Sequence, residues 1–393
     1  MKILILAHDC GLRGAERVVA EEAEELIRRG WNVLVAVPCR FGGLSDHLRG
    51  RNIPYVFIRY YGWMGPGRFF GRARRIIGNF AALPSLIVLI KMYKPDFIHV
   101  HSIACGIGAI AARLTGIPHI WHLHEPGPYA ISADRPRFDL GERASLSVAR
   151  WSRSRFVAVS NSLARMFERI LNIEQVGVVY QSINLNAIVP PDDTAQLARI
   201  TNWPGRKLIV VGALLLWKDP LTAVRAMSYI VREWPDAGLF FVGPDPIGMG
   251  AEIEAVARDL GVSDNVVRLG AMLNAHPAIM AADACIVTAV DEGFGRVQAE
   301  AMLSGTPVVS ADVPVNREVA GDDNVDFFTP SDPEALAAAI SSLFSRPQDE
   351  ISCRVERALA YARGRFSAEA AANALEIELL ACPLPRANNR KCS

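Results

Sequence analysis

The densest run of residues able to do chemistry is Asp291-Glu292-Gly293-Phe294-Gly295-Arg296-Val297-Gln298-Ala299-Glu300-Ala301-Met302, with two glutamates eight residues apart. Glycine lets a loop backbone approach a ligand closely. A helix beginning near Gly295 or Arg296 would aim its free N–H groups and positive dipole end at an anion. With Glu292 in the loop and Glu300 more than one turn into the helix, a rise of about 1.5 Å per residue puts the carboxylates roughly 10 Å apart. That spacing suits a ligand with phosphates at its middle: the helix start holds a diphosphate, Glu300 accepts hydrogen bonds from ribose hydroxyls, and Glu292 accepts them from sugar hydroxyls. Those are the parts of a nucleotide-sugar.

Two further places qualify. Gly11-Leu12-Arg13-Gly14 occupies the first turn between strand and helix, where Gly14 admits a phosphate or sugar close to the backbone. Trp121-His122-Leu123-His124-Glu125-Pro126-Gly127 follows a strand, at the carboxyl end where α/β sheets place ligand groups. Alternation sets His122 and His124 on one face, and each suits a structural or a catalytic role.

In chain order, Gly14-Ala15-Glu16-Arg17, Phe97-Ile98-His99-Val100-His101-Ser102, Val157-Ala158-Val159-Ser160 and Val178-Val179-Tyr180-Gln181-Ser182-Ile183-Asn184 join the acidic string in resembling one family. This is the retaining GT-B glycosyltransferase family (glycosyltransferase group 1, family 4-like), whose double-glutamate motif the 291–302 string resembles. The resemblance implies transfer from a UDP-, GDP- or ADP-sugar with retained anomeric configuration and no protein-bound metal or other cofactor. It marks His124 and Glu292 as the groups nearest the reacting centre.

Val211-Gly212-Ala213-Leu214-Leu215-Leu216-Trp217-Lys218-Asp219-Pro220 is similar to the family segment in which an Arg and, five residues later, a Lys neutralise the donor diphosphate. Lys218 matches, Ala213 stands where the Arg would, and Arg296 is the candidate substitute. Val242-Gly243-Pro244-Asp245 resembles the turn near the donor phosphate and base, and Leu269-Gly270-Ala271-Met272 the segment whose backbone reads the base. The donor-binding set implied is therefore Gly14, Lys218, Gly243, Met272, Phe294, Gly295, Arg296 and Glu300. Arg13 replaces the first glycine of the family's usual pair. Expected with this set is front-face attack on the sugar, the leaving phosphate taking the acceptor proton. Rival readings are a sugar-nucleotide-binding pseudoenzyme, favoured by Ala213 and Arg13, and a GT-B sugar-nucleotide epimerase. A dinucleotide-dependent oxidoreductase fits poorly, because no GxGxxG is followed by an acidic residue about 20 positions on.

The elements that must position these groups are short apolar strands alternating with helices. Lys2–Ala7, Val33–Val37, Tyr55–Ile58, Phe97–Val100, His119–His122 and Phe156–Val159 predict strands buried on both faces, and Ala15–Arg29 shows helical spacing of Val18, Val19, Ala23, Leu26 and Ile27. A second series, Lys207–Val211, Gly238–Val242, Val266–Leu269, Ala284–Thr288 and Pro307–Ser310, repeats the pattern. The fold class expected is α/β, a GT-B arrangement of two Rossmann-like parallel-sheet domains facing a central cleft. The boundaries expected are 1–184 for an acceptor-side domain, 185–205 for a linker containing Pro190-Pro191, 206–365 for the donor domain, and 366–393 for a helix returning to the first domain plus a basic tail.

The chain's 393 residues suit two domains, and 51% apolar with 21% charged residues suits well-buried cores. A net charge of +1 excludes a global field for nucleic acid. The seven cysteines, free of CxxC spacing, are expected to be reduced thiols of a cytoplasmic protein without a zinc site. The longest apolar run, 80–90, contains Pro84 and falls short of the roughly 20 residues of a spanning helix. No transmembrane segment is expected. Arg68, Arg72, Arg74 and Arg75, interleaved with Phe69, Phe70, Ile76 and Ile77, read first as a solvated helix face, and secondly as a surface that could rest on an anionic membrane face presenting a lipid-linked acceptor. The alternative acceptor is a glycan of cell-surface polysaccharide.

Overall fold

The structure is a computed structural model that describes residues 1–12, 14–65, 69–130, 136–185, 193–272, 274–321 and 323–382. It separates into two compact units, one from Met1 to Ser182 joined by the helix Ala368–Leu380, the other from Ile183 to Ser367.

In the first unit the strands are β1 (Lys2–Leu6), β2 (Asn32–Val37), β3 (Tyr55–Phe57), β4 (Met64–Gly65), β5 (Phe97–His101), β6 (His119–Leu123), β7 (Arg137–Phe138), β8 (Arg155–Ala158) and β9 (Gly177–Val178). Seven of them form one parallel sheet in the order β3-β2-β1-β5-β6-β8-β9, while β4 and β7 make a small antiparallel pair. Ile3, Leu4, Ile5 and Leu6 are fully buried because helices cover both faces of β1. The helix Gly14–Arg28 buries Val18, Val19, Ala23 and Leu26, whereas Ile27 turns outward and is 38% exposed.

Leu375 and Leu379 of the C-terminal helix close the same core. Polar clamps fix that helix in place: Trp31 Nε1 donates to Glu376 (3.0 Å), and Arg155 Nε donates to Glu378 (2.6 Å).

The second unit contains β10 (Lys207–Val211), β11 (Gly238–Val242), β12 (Val266–Gly270), β13 (Ala284–Val287), β14 (Val308–Ala311) and β15 (Asp326–Phe328), all parallel in the order β12-β11-β10-β13-β14-β15. Leu208, Phe241, Ile286 and Val309 meet Val224, Met227, Ile253 and Ile340 in its core. Both sheets thus share one winding scheme, the doubly wound order of Rossmann-like folds.

Two expectations need correction. Cys10 and Cys39 form a disulfide. Each lies just past the end of one of the neighbouring parallel strands β1 and β2, which sets their Cα atoms 5.8 Å apart, within bonding reach. Cys105, Cys285 and Cys382 are buried thiols and Cys353 is exposed.

The second correction concerns membranes. The helix Phe69–Tyr93 has 25 residues and is long and apolar enough to cross one by length and composition, because it continues through the residues flanking the short apolar run. It also leaves much apolar surface outside, with Phe70 86%, Met92 78% and Phe80 70% exposed. Arg68, Arg13 and Pro190-Pro191 lie outside the described residues.

Candidate functional site

Each sheet has one place where the strand order reverses, between β1 and β5 and between β10 and β13. Loops leaving two such strands diverge to opposite faces and open a crevice at their carboxyl ends, where ligands bind in this class of fold.

In the second unit, β10 runs into Gly212, Ala213 and the short turn Leu216–Lys218, and β13 runs into Thr288 and the loop ending at Gly295. Two hydrogen bonds tie these loops together: Thr288 Oγ1 donates to the Lys218 carbonyl (2.6 Å), and Val290 N donates to the Trp217 carbonyl (3.0 Å). The Lys218 ammonium donates to the Glu292 carboxylate. Around this pair a pocket is lined by Gly212, Ala213, Lys218, Thr288, Glu292 and Gly295.

Gly295 adopts φ +83° as the residue before the helix Arg296–Leu303, a left-handed conformation that suits glycine. One turn later Arg296 Nε donates to Glu300 (2.8 Å), so the two functional candidates on this helix are partners in an i,i+4 pair. Gly243 is required sterically, since a Cβ there would stand 1.9 Å from the Gly212 carbonyl oxygen at φ +153°. Its N–H donates to Gly270 (2.8 Å), which ties the β11 and β12 loops together. Asp245 caps the next helix by accepting from Met249 N and Gly250 N, both at 2.8 Å.

The structure therefore gathers Lys218, Glu292 and Gly295 at one pocket, with Gly243 behind its wall and Arg296 and Glu300 on the adjoining helix. Met272 lies two residues beyond the end of the edge strand β12, and the pocket lining does not include it. Phe294 differs from expectation. Its ring is 2% exposed and stands edge-on to Phe366 at 5.3 Å, so its side chain packs the core and only its backbone could reach a donor.

In the first unit the crevice end carries histidines. His99 and His101 alternate along β5, and His101 is the register partner of His122 on β6, so these three and His124 share one face. The helix Gly14–Arg28, which opens at Gly14, covers that face and lowers Glu22 onto it. His99 Nδ1 donates to Glu22 (2.6 Å), His99 Nε2 meets His122 Nδ1 (3.2 Å), and His101 Nδ1 meets His124 Nε2 (2.9 Å).

Burial pushes His122 and His124 well below the usual histidine range and His101 down to about 4, so all three are neutral at neutral pH. Burial acts to raise the Glu22 carboxyl, but the His99 and His101 rings outweigh it and hold Glu22 below the carboxylate range. Ser102 donates to Glu125, whose carboxyl burial pushes upward. Sequence reasoning singled out His124 and missed Glu22, His99 and His101 as its neighbours. The signal was there in two His-x-His pairs on strands that the fold pairs in parallel.

Comparison with known proteins follows the same division. Residues 12–187 match the model of Glycosyltransferase Family 4, and residues 205–346 that of Glycosyl transferases group 1. The D-inositol 3-phosphate glycosyltransferase of Segniliparus rotundus is 34% identical over 51% of this chain and 46% of its own length. The phosphatidyl-myo-inositol mannosyltransferase of Mycobacterium tuberculosis is 27% identical over 56% of this chain and 61% of its own. The chain thus spans less than two thirds of the length of these curated relatives. Among solved structures, Anabaena HepE in complex with UDP superposes with TM-score 0.77 at 22% identity, covering 97% of this chain and 100% of that one.

Proposed function

The chain belongs to the group 1 glycosyltransferases with the GT-B fold, and from that premise we propose that it moves a sugar from a nucleoside-diphosphate donor to an acceptor hydroxyl with retained configuration. The observation that carries this reading is the Lys218–Glu292 pair beside the Gly295 helix start at the switch point of the second sheet. A cation and the positive dipole end of a helix together suit a diphosphate, and both stabilise the charge that grows on it as the glycosidic bond breaks.

In the proposed reaction the electron pair of that bond goes to the diphosphate oxygen. The acceptor oxygen then bonds to the anomeric carbon on the same face and gives its proton to the departing phosphate. Lys218 is drawn from Glu292 to the diphosphate, freeing the Glu292 carboxylate for sugar hydroxyls, while neutral His124 serves as a hydrogen-bond partner of the sugar. Glu300 takes the ribose hydroxyls. The bound UDP and UDP-glucose of HepE make UDP-sugars the first donors to try. Lys218 and the helix start supply the positive charge that a metal would otherwise bring.

The acceptor proposed is a glycan or lipid-linked hydroxyl of the cell surface, assembled at the cytoplasmic face of a membrane. The bare apolar side of Phe69–Tyr93, flanked by Arg72 and Arg74, suits that surface. Flotation with anionic liposomes should carry the protein, and a protein left at the bottom of the gradient removes this part of the reading.

The central test is thermal shift and calorimetry against UDP-, GDP- and ADP-sugars. A true donor raises Tm in step with the logarithm of its concentration over Kd. Glu300→Ala should weaken that donor by about 1–3 kcal/mol, and unchanged affinity would remove Glu300 from the site. Donor binding without transfer to any hydroxyl acceptor would favour the pseudoenzyme reading that Ala213 supports.

A further inference from the structure

Glu22, His99, His101 and His122 form a cluster that the transfer reaction does not use. Each can offer one ligand atom such that all four lie within 4.8 Å of one another. His99 and His101 are fully buried, His122 is 1% exposed and Glu22 is 8% exposed. They come from three rigid elements, β5, β6 and the helix Gly14–Arg28, rather than from loops. Rigid scaffolding of this kind is what a metal site requires.

One ring nitrogen in the cluster, His101 Nε2, is buried without a hydrogen-bond partner among the described residues. A buried polar atom left in that state costs about 1–3 kcal/mol. His101 Nε2 lies 3.7 Å from Glu22 Oε2, too long for a hydrogen bond. It is close to the roughly 3.4 Å that separates two ligands of a tetrahedral zinc ion with bonds of about 2.0–2.1 Å.

We propose that Glu22, His99, His101 and His122 bind a single divalent transition-metal ion of the zinc type, held as a closed structural site within the first unit. Three imidazoles and a carboxylate are a ligand set that zinc accepts, and four protein ligands leave no open position for a substrate. The ion would lie between His99 Nε2 and His122 Nδ1, whose 3.2 Å separation is close to that of two zinc ligands, while His99 Nδ1 keeps its proton and its hydrogen bond to Glu22.

The neighbouring hydrogen bonds agree with this assignment. With Nε2 on the ion, His101 must carry its proton on Nδ1, which then donates to His124 Nε2 across the observed 2.9 Å. His124 in turn carries its proton on Nδ1, which faces the Gln181 side-chain amide at 3.5 Å. The Gln181 Oε1 atom has no partner among the described residues, and a half turn of the amide gives it that proton. One ion thus satisfies His101, fixes the tautomer of His124 and accounts for Gln181. A small pocket lined by Val18, Glu21, Val179 and Ser182 borders Glu22 and His122.

The test uses the full chain. Metal is measured by elemental analysis after gel filtration, and the protein is then unfolded in chelator and refolded with zinc alone or cobalt alone. Expected are one ion per chain, a higher Tm with zinc, and the strong visible absorption of tetrahedral cobalt. Glu22→Gln and His122→Gln should each weaken cobalt binding by at least about tenfold, the lower bound of what even an outer-shell partner costs. Circular dichroism separates that loss from unfolding, and the cobalt spectrum of the unmodified chain stands whether or not a variant folds. Lys218→Ala, in the other unit, should keep the ion, so failure of the donor reading and of this one are told apart. A chain that holds no metal, shows the same Tm with zinc as without, or binds cobalt equally in both variants overturns the proposal. The cluster would then be two separate hydrogen-bonded chains, Gln181–His124–His101 and Glu22–His99–His122.

Discussion

The two sheets share a strand order and open at equivalent switch points, yet they furnish those points in opposite ways. In the first unit His101, His122, His124 and Glu22 are at most 8% exposed, whereas in the second Lys218 is 25% and Glu292 17% exposed. Burial makes the first a fixed polar network in which each group's partner is set by the core. Partial exposure leaves the second with charges that can change partners, as a site for a mobile anion must. The same topology thus serves once to bury a polar network and once to leave a charged pair partly exposed.

The contrast can be broken most severely at Gly243. Any Cβ there meets the Gly212 carbonyl, so Gly243→Ala should cost the second unit about 3 kcal/mol or more, read by urea unfolding. First-unit amides should keep their hydrogen-exchange protection, and equal loss in both units would contradict the separation. Next in size is Lys218→Ala, which should lower kcat by about 10²–10³-fold. The ion pair it breaks is partly exposed, so stability should change by less than about 1 kcal/mol. A variant with normal kcat would place the anion elsewhere.

A third test sharpens the comparison by pH. Burial lowers His119 of β6 to about 4, and its ring meets Ser154 Oγ at 2.8 Å. Its folded value lies below its unfolded one, so the unfolded chain takes the proton first. Stability is full above about pH 6.5 and falls toward pH 4, by at most about 1.4 kcal/mol per unit from this residue. His119→Gln should flatten that slope in the first unit, and an unchanged slope would assign the acid sensitivity to other groups.

Most strands were legible because a parallel strand covered on both faces must be an unbroken apolar run, as in Ile3–Leu6 and Leu239–Val242. Gly177–Val178 and Asp326–Phe328 escaped notice because two or three residues carry no period. The helix Gln348–Phe366 is so polar that only Ala358, Ala362 and Phe366 are buried, which leaves a weak stripe to detect. At the candidate site, residue types were legible and partnerships were not. Lys218–Glu292, Glu22–His99 and Cys10–Cys39 each join positions far apart in sequence, and only the strand order brings them together.

The helix Ala368–Leu380 has a consequence for synthesis. It supplies Leu375 and Leu379 to a core whose other members begin at Ile3, with the whole second unit encoded in between. As the chain leaves the ribosome, the later-encoded unit therefore has all of its strands before the earlier one has its last helix. The first unit waits without Leu375 and Leu379, so its core closes after the second unit has been made, and a stop codon shortly after Ser367 would yield a finished second unit tethered to an unfinished first.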